Sequence, residues 1–512
     1  MSALHRGSLR TRAGVGLVVL ATLAACSSTN LRKSNNGALE GGGTGAVTSD
    51  ATTSPTPGVS KAPGKVKGKP GATKSSAGTT GGGSTVTTPS GGTAPAPGTA
   101  GAPRTTPVKG YTGRVGPGIT ATTINIGITL FKIGGVAKGF GSDADPGDTE
   151  AQANAALSYV NAHGGIAGRK VVPIFHTFDL TRPGLSDGQS EQEACAKWTQ
   201  DNKVFAVINI TYSRLSLLTC LAKADVPGLH EALPLDAKTL QTYFKYWYSN
   251  SQVVLDRMIV NQVRNYCSRG FFATGAKVGM EYFDDPSMKR IVDETFIPEL
   301  AKCGVPKKNV FLQAAPRGGQ NATPYAAAFK RDGVTNVMFL GEGSLYPLFF
   351  MRAADQQGYR PKYGLSTAQT PALLLQDLVP AAQLKNAIGI GWLPTADVDA
   401  PQDPGPVNSR NSLCMDIERK AGQDMSNRQA AFQSSLYCGG LWWLQDNLAK
   451  ASGLNSEGLF AAVNNLGTSF VAPTTWGVSF TSTKHDGPRI YRDFAWPSGP
   501  KSQYVSGNKP MV

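Results

Sequence analysis

Beyond residue 26 the chain carries four histidines, His163, His176, His230 and His485, and none stands at metal-ligand spacing from another histidine or a cysteine. No C-x-x-C or H-E-x-x-H motif is present. The one approach to a G-x-S-x-G nucleophile elbow, Gly364-Leu-Ser-Thr-Ala368, fails at its last position. No G-x-x-x-x-G-K-[ST] phosphate loop occurs. Asp284-Asp285 could pair as acid and base, yet they open a predicted helix, where aspartate caps free N–H groups. The chain is therefore read as a non-enzyme with no cofactor and no metal. The chemistry left is reversible binding by hydroxyls, carboxylates, amides and aromatic rings.

Candidate binding residues follow from where strands end. In open parallel sheets, ligands sit beyond the carboxyl ends of the strands, where loops converge and helix N-termini point. That rule selects Phe131 and Lys132, then Thr211, Tyr212 and Ser213, then His230 and Glu231. Further along it selects Phe283 and Asp284, Glu342 and Ser344, and Gln369. Tyr212 and Glu231 are expected to supply an aromatic wall and a charge or hydrogen-bond partner, and Glu342 the facing charge. Each also has a structural alternative: Ser213, Asp284 and Ser344 as caps, Lys132 as a solvated loop charge.

The elements that must position these residues alternate. Strands are predicted at Thr123–Leu130, Val171–Phe175, Val204–Asn209 and Pro227–His230, and helices at Asp148–Ala162, Ser190–Thr199 and Leu215–Ala224. A second series follows: strands at Lys277–Tyr282, Asn309–Gln313, Asn336–Leu340 and Tyr363–Ser366, with helices at Val253–Tyr266, Pro286–Ala301, Pro324–Lys330 and Leu345–Gln357. The later chain reads as helical at 408–421 and Ser434–Lys450, with closing strands at Thr475–Phe480 and Arg489–Trp496. Repeated strand–helix–strand units imply an α/β fold with parallel sheets covered on both faces.

This layout also bears on the cysteines. Right-handed crossovers set consecutive helices side by side, so neighbour pairing gives Cys195–Cys220, Cys267–Cys303 and Cys414–Cys438. The alternative leaves one pair reduced and buried. An even count in an exported chain favours disulfides.

Export is written at the N-terminus. Arg6, Arg10 and Arg12 precede an apolar or small-residue run, Ala13 to Ala25, which is too short to span a bilayer. The run ends in Leu23-Ala24-Ala25-Cys26, which resembles the lipobox of bacterial lipoproteins. That resemblance implies a signal peptide over 1–26 and lipidation of Cys26. The mature protein would be anchored to the outer face of the cytoplasmic membrane, at the cell surface or in the periplasm.

Residues 27–117 follow, where Gly, Ser, Thr, Pro and Ala fill 67 of 91 positions. They cannot bury enough apolar surface to offset their conformational entropy and read as a disordered tether. Of the net charge of +15, residues 1–117 carry +11 and residues 118–512 only +4. A nucleic-acid-binding fold would carry the excess on its folded surface, so no nucleic-acid partner is expected.

The segment Asn161-Ala-His-Gly-Gly-Ile-Ala-Gly-Arg-Lys170 resembles the N-x-x-G-G-I-x-G-R/K turn of type I periplasmic-binding proteins, in their branched-chain amino-acid-binding branch. Gly118–Gly127, Phe205–Asn209 and Val226–Leu229 are similar to the same family's rhythm. The resemblance implies two doubly wound parallel-sheet lobes joined by three crossover strands, with ligand enclosed between them. The crossings are expected near Trp247–Ser251, Ser366–Pro371 and Ala472–Thr474. The N-terminal lobe would then hold 118–250 with 370–471, and the C-terminal lobe 251–369 with 472–512.

The resemblance further implies the substrate-binding component of an ABC-type importer, with a membrane permease as partner. The alternative is a ligand-sensing module that signals to a membrane or wall-associated partner without transport. Amino-acid binders of the family use hydroxyls after the fourth strand, where this chain reads His230-Glu-Ala-Leu233. The ligand class therefore stays open among amino acids, amides, ureas and small organic acids.

Overall fold

Ten residues with alternating apolar side chains, Thr123–Lys132, form β1, and its inward positions Ile124, Ile126 and Ile128 are fully buried. The computed structural model describes residues 115–133, 145–179, 181–182, 187–211, 213–316, 321–341, 345–375, 378–399, 407–497 and 501–512, all within one compact unit. The expected leader, Cys26 and tether lie outside the described residues, as do Tyr212, Glu342 and Ser344.

The first lobe is a five-stranded sheet of β1, β2 (Lys170–Asp179), β3 (Ala206–Asn209), β4 (Gly228–His230) and β5 (Trp247–Tyr248). All its pairings are parallel, in the order β2-β1-β3-β4-β5. Helix α1 (Thr149–Ala162) starts where Asp148 accepts from the Ala151 N–H at 2.9 Å. It stops at Gly164 and Gly165, both at positive φ. Helices α2 (Asp187–Ala196), α3 (Leu215–Lys223) and α4 (Ala237–Tyr243) complete the alternation.

The second lobe begins with α5 (Leu255–Ser268) and β6 (Val278–Phe283). Helices α6 (Pro286–Ile291) and α7 (Ile297–Lys302) follow, joined through a π turn. Then come β7 (Val310–Ala315), α8 (Thr323–Arg331), β8 (Asn336–Leu340), α9 (Leu345–Gln356) and β9 (Lys362–Ser366). After the short α10 (Ala381–Leu384), β10 (Ile388–Gly391) pairs in parallel with β9. The strand order β7-β6-β8-β9-β10 repeats the first lobe's order. β11 (Ile490–Ala495) adds antiparallel to β10, and β12 (Gln503–Tyr504) and β13 (Lys509–Pro510) pair with β11.

Two expected boundaries move. β10 keeps residues 388–391 in the second sheet, and Trp392, Leu393 and Ala396 stay in that lobe's core, so the chain does not leave it at Ser366–Pro371. Residues 472–480 still pack on the first lobe, with Ala472, Val478 and Phe480 in its core. The Thr475–Phe480 segment makes only isolated bridges, Gly467 to Phe480 and Val478 to Pro488, so the return crossing lies at 485–489.

The short α11 (Pro394–Asp397) still packs on the second lobe, and α12 (Ser409–Lys420), α13 (Arg428–Leu448) and α14 (Ser456–Asn464) follow. α13 is buried along most of its length because Gly440 lets it approach Ile208 of β3, where any Cβ would collide. Near its N-terminus Phe432 packs against the cores of both lobes, and Arg428 donates to the Thr395 and Val398 carbonyls at 2.6 and 2.5 Å. The three neighbour disulfides are present: Cys195–Cys220, Cys267–Cys303 and Cys414–Cys438.

Candidate functional site

In a sheet ordered 2-1-3-4-5, the crevice opens between the first and third strands, where successive crossovers depart to opposite sides. In the second lobe that switch point lies between β6 and β8, and a small cavity lies there. It is lined by Glu281, Phe283, Phe339, Gly341, Tyr346 and Gln369, together with Tyr282, Leu340 and Pro347. Glu281 and Phe339 are register partners on β6 and β8 and share a sheet face. Phe283, two residues on, closes that face and meets the Tyr346 ring edge-on at 5.2 Å. Gly341 is needed there, because a Cβ would strike the Phe283 ring.

Gln369 reaches the cavity from a capping box. Its Oε1 accepts from the Ser366 N–H at 2.8 Å and the Ser366 hydroxyl at 3.1 Å, and the Ser366 hydroxyl accepts from the Ala368 N–H. The next residue, Thr370, sits at φ 39°, a left-handed conformation that a β-branched side chain disfavours. Glu281 is buried, and neither of its carboxyl oxygens has a hydrogen-bond partner. Burial pushes its carboxyl well above the usual carboxylate range.

The first lobe's switch point is built around Asn209 at the end of β3. Its Oδ1 accepts from the Thr211 N–H and hydroxyl at 3.3 and 3.1 Å, and its Nδ2 donates to Ser213 Oγ at 2.8 Å. Thr129 of β1 pins the same loop by accepting from the Ile210 N–H at 2.8 Å. Thr211 and Ser213 are thus ordered, buried hydroxyls at a strand end. Lys132 is exposed and paired with Asp179 at 3.1 Å, while Phe131 packs on the cluster around Trp198.

His230 stands against the same group, its Nδ1 3.4 Å from Asn209 Nδ2, whereas Glu231 turns to the crossover. The His230 ring leans back over Gly228, fully buried, and burial pulls its pKa down to about 3, so it is neutral. Glu231 holds the first crossover. Its carboxylate accepts from the Ser249 hydroxyl at 2.6 Å, the Ser251 hydroxyl at 2.5 Å, and the Asn250 and Ser251 N–H groups. Burial raises its pKa while these donors pull it back. The Glu231 carboxylate thus orders the hinge.

The crossovers are also tied to each other. Ser249 N–H donates to the His485 carbonyl at 3.1 Å, and Gly487 N–H to the Ser249 carbonyl at 2.7 Å. Asp486 accepts from the Val254 N–H at 2.9 Å and pairs with Arg257 at 2.7 Å. Trp392, after β10, donates its indole N–H to the Ser251 carbonyl at 2.8 Å. Beside the hinge, Arg290 of the second lobe pairs with Asp236 of the first at 2.9 Å and with Asp256 at 2.8 Å.

Of the residues selected from the sequence, the structure brings Phe283 and Gln369 together in one cavity. It sets Thr211 and Ser213 together at the other switch point. Asp284 is exposed, and the cap of α6 is its neighbour Asp285, accepting from Ser287 N–H at 2.9 Å. Sequence reasoning missed Glu281, Phe339, Tyr346 and Asn209. The available signal for Glu281 was an acidic residue inside the apolar run Val278-Gly-Met-Glu-Tyr-Phe283. Among the described residues, one group of side chains is close enough to hold a metal, Cys414, Glu418 and Cys438, and its two sulfurs are bonded to each other.

Two doubly wound lobes, joined by crossovers and each carrying polar or aromatic side chains at its switch point, define the class of two-lobed solute-binding proteins. The chain belongs to the periplasmic binding protein family, whose profile matches residues 131–491. Among solved structures it is similar to a fatty acid ABC transporter substrate-binding protein from Thermomonospora curvata, at 17% identity and TM-score 0.56 over 77% of this chain and 94% of that one. A solute-binding protein of Rhodopseudomonas palustris HaA2 in complex with p-hydroxybenzoic acid matches at 15% identity and TM-score 0.56, over 76% of this chain and 97% of that one. A branched-chain amino acid ABC transporter protein from Thermus thermophilus with bound valine matches at 13% and 0.54, over 76% and 97%. No curated protein matches. Among the described residues no helix is long and apolar enough to cross a membrane.

Proposed function

We propose that this protein is an exported lipoprotein that captures a small polar ligand between its lobes and delivers it to an ABC-type importer. The observation that carries the reading is the repeated strand order, which gives each lobe a switch point with buried, ordered polar groups. Ligand that contacts both lobes favours their closed arrangement over any open one, and the permease then reads the closed form. The neighbours with valine and p-hydroxybenzoate support a small ligand with a polar head.

Lipidation at Cys26 is the proposed anchor. The Cys26→Ala variant is expected to leave the membrane fraction, and recovery of that variant matured and still membrane-bound removes the anchor from the proposal. For ligand capture, thermal-shift screening is combined with small-angle scattering against amino acids, amides, ureas and aromatic acids. A compound bound by the folded state raises the melting temperature and contracts the molecule. If no compound does either, the solute-binding reading fails.

A further inference from the structure

Helices α12 and α13 of the first lobe are bridged through residues one turn apart on each. Cys414 and Glu418 stand at i and i+4 on α12, and Ser434 and Cys438 at i and i+4 on α13. The Cys414 and Cys438 sulfurs and a Glu418 carboxyl oxygen all lie within 4.8 Å of one another. Glu418 is fully buried, yet neither of its carboxyl oxygens has a hydrogen-bond partner, and the buried Ser434 hydroxyl has none either. The Ser434 carbonyl oxygen is 3.4 Å from Cys414 Sγ. A buried carboxyl without a partner is costly and calls for a complementary group.

The disulfide does not supply that group, because its sulfurs carry neither a proton to donate nor a positive charge. Once the bridge is opened, the same atoms become two thiols beside a carboxyl and a carbonyl. That donor set of sulfur and oxygen argues against magnesium and calcium, which take all-oxygen shells. It suits zinc, which is held by cysteine sulfur, histidine nitrogen and carboxylate oxygen. Among the described residues, neither of the other two disulfides has a third ligating side chain in reach.

We propose that Cys414, Cys438 and Glu418 form a zinc site in the dithiol form of this protein, with Ser434 offering a further oxygen. The proposal stands apart from solute binding. Zinc and the disulfide are alternative clasps for one pair of helices, the metal holding α12 to α13 whenever the bridge is open.

The exchange between the two clasps balances. A dithiol reductant passes two electrons to the bridge, becomes a cyclic disulfide and leaves two protonated cysteines. Zinc then replaces the two thiol protons and the Glu418 proton, which pass to solvent. In the reverse direction the two thiolates lose two electrons to a disulfide oxidant, the S–S bond forms, and zinc leaves.

The test uses the full chain, reduced with dithiothreitol, freed of it under argon and titrated with zinc chloride against a chromophoric zinc chelator. One zinc ion per chain is expected to bind and to raise the melting temperature. It should protect Cys414 and Cys438, but not the other cysteines, from iodoacetamide, as mapped by mass spectrometry. Cobalt(II) in its place should give sulfur-to-cobalt charge-transfer absorption. Glu418→Gln keeps the shape and loses the charge. It is expected to bind zinc at least about tenfold more weakly, the least that loss of even an outer partner costs. Cys414→Ser and the oxidised protein should show no such site. A reduced chain that binds no zinc, zinc that protects every cysteine alike, or equal affinity in Glu418→Gln overturns the proposal. A reduced chain that unfolds and is not refolded by zinc overturns it as well, because the metal then fails to replace the bridge.

Discussion

Glu418 offers a stability test independent of any ligand. It lies on α12 with no exposed surface, its two carboxyl oxygens have no hydrogen-bond partner, and it approaches the Cys414–Cys438 bridge. Burial pushes its carboxyl up to about 8, from the ordinary 4.5. The folded state thus holds this proton more tightly than the unfolded chain does. Its contribution is fully present below pH about 4.5 and is lost as pH rises through about 8.

At about 1.4 kcal/mol per pKa unit, the ceiling is about 5 kcal/mol. Relaxation and water entry around the ion bring the expected effect to about 2 kcal/mol. Glu418→Gln cannot ionise. Urea unfolding at pH 5 should place the variant within about 1 kcal/mol of the wild type, since a buried amide is also imperfectly met. At pH 9 the variant should be more stable by about 2 kcal/mol, with an unchanged urea slope. Parallel stability curves for the two proteins from pH 5 to 9 would refute the burial argument.

Two further perturbations test the hinge and a turn. Glu231→Gln removes the charge that gathers the Ser249–Ser251 donors, so a stability loss of about 2 kcal/mol or more and a changed scattering profile are expected. Unchanged stability and scattering would return Glu231 to the ligand site. Gly165→Ala places a Cβ at positive φ and onto the Arg169 carbonyl, and should lower stability by about 2 kcal/mol or more; a melting temperature equal to the wild type's would count against that geometry.

The alternation of strand and helix was legible because period-2 and period-3.6 runs in this chain rarely overlap. Asn336–Leu340 and Leu345–Gln356, for example, were readable almost to the residue. The neighbour disulfides followed from the same layout. The crossing after β10 was hidden because Ile-Gly-Ile-Gly391 is a four-residue strand with only two side chains to signal it. Thr475–Phe480 has strand composition yet finds no sheet edge, only isolated bridges. The rule about strand ends selected Phe283 and Gln369, which line one small cavity. It could not find Glu281, which lies two residues inside β6, where a carboxyl is the residue least compatible with a strand buried on both faces. Nor could it foresee that Glu231 would be consumed by the backbone it follows.

The paired crossovers at Ser249 and His485–Gly487 restrict how the halves of the molecule can travel. A single extended strand has two soft torsions per residue and permits swivel as well as flexure. Two strands stitched side by side by Ser249–His485 and Gly487–Ser249 hydrogen bonds must deform together, as the two leaves of a door share one pin. Swivel would shear those bonds, whereas flexure across them leaves both intact. The approach of one lobe to the other is thereby reduced toward a single coordinate.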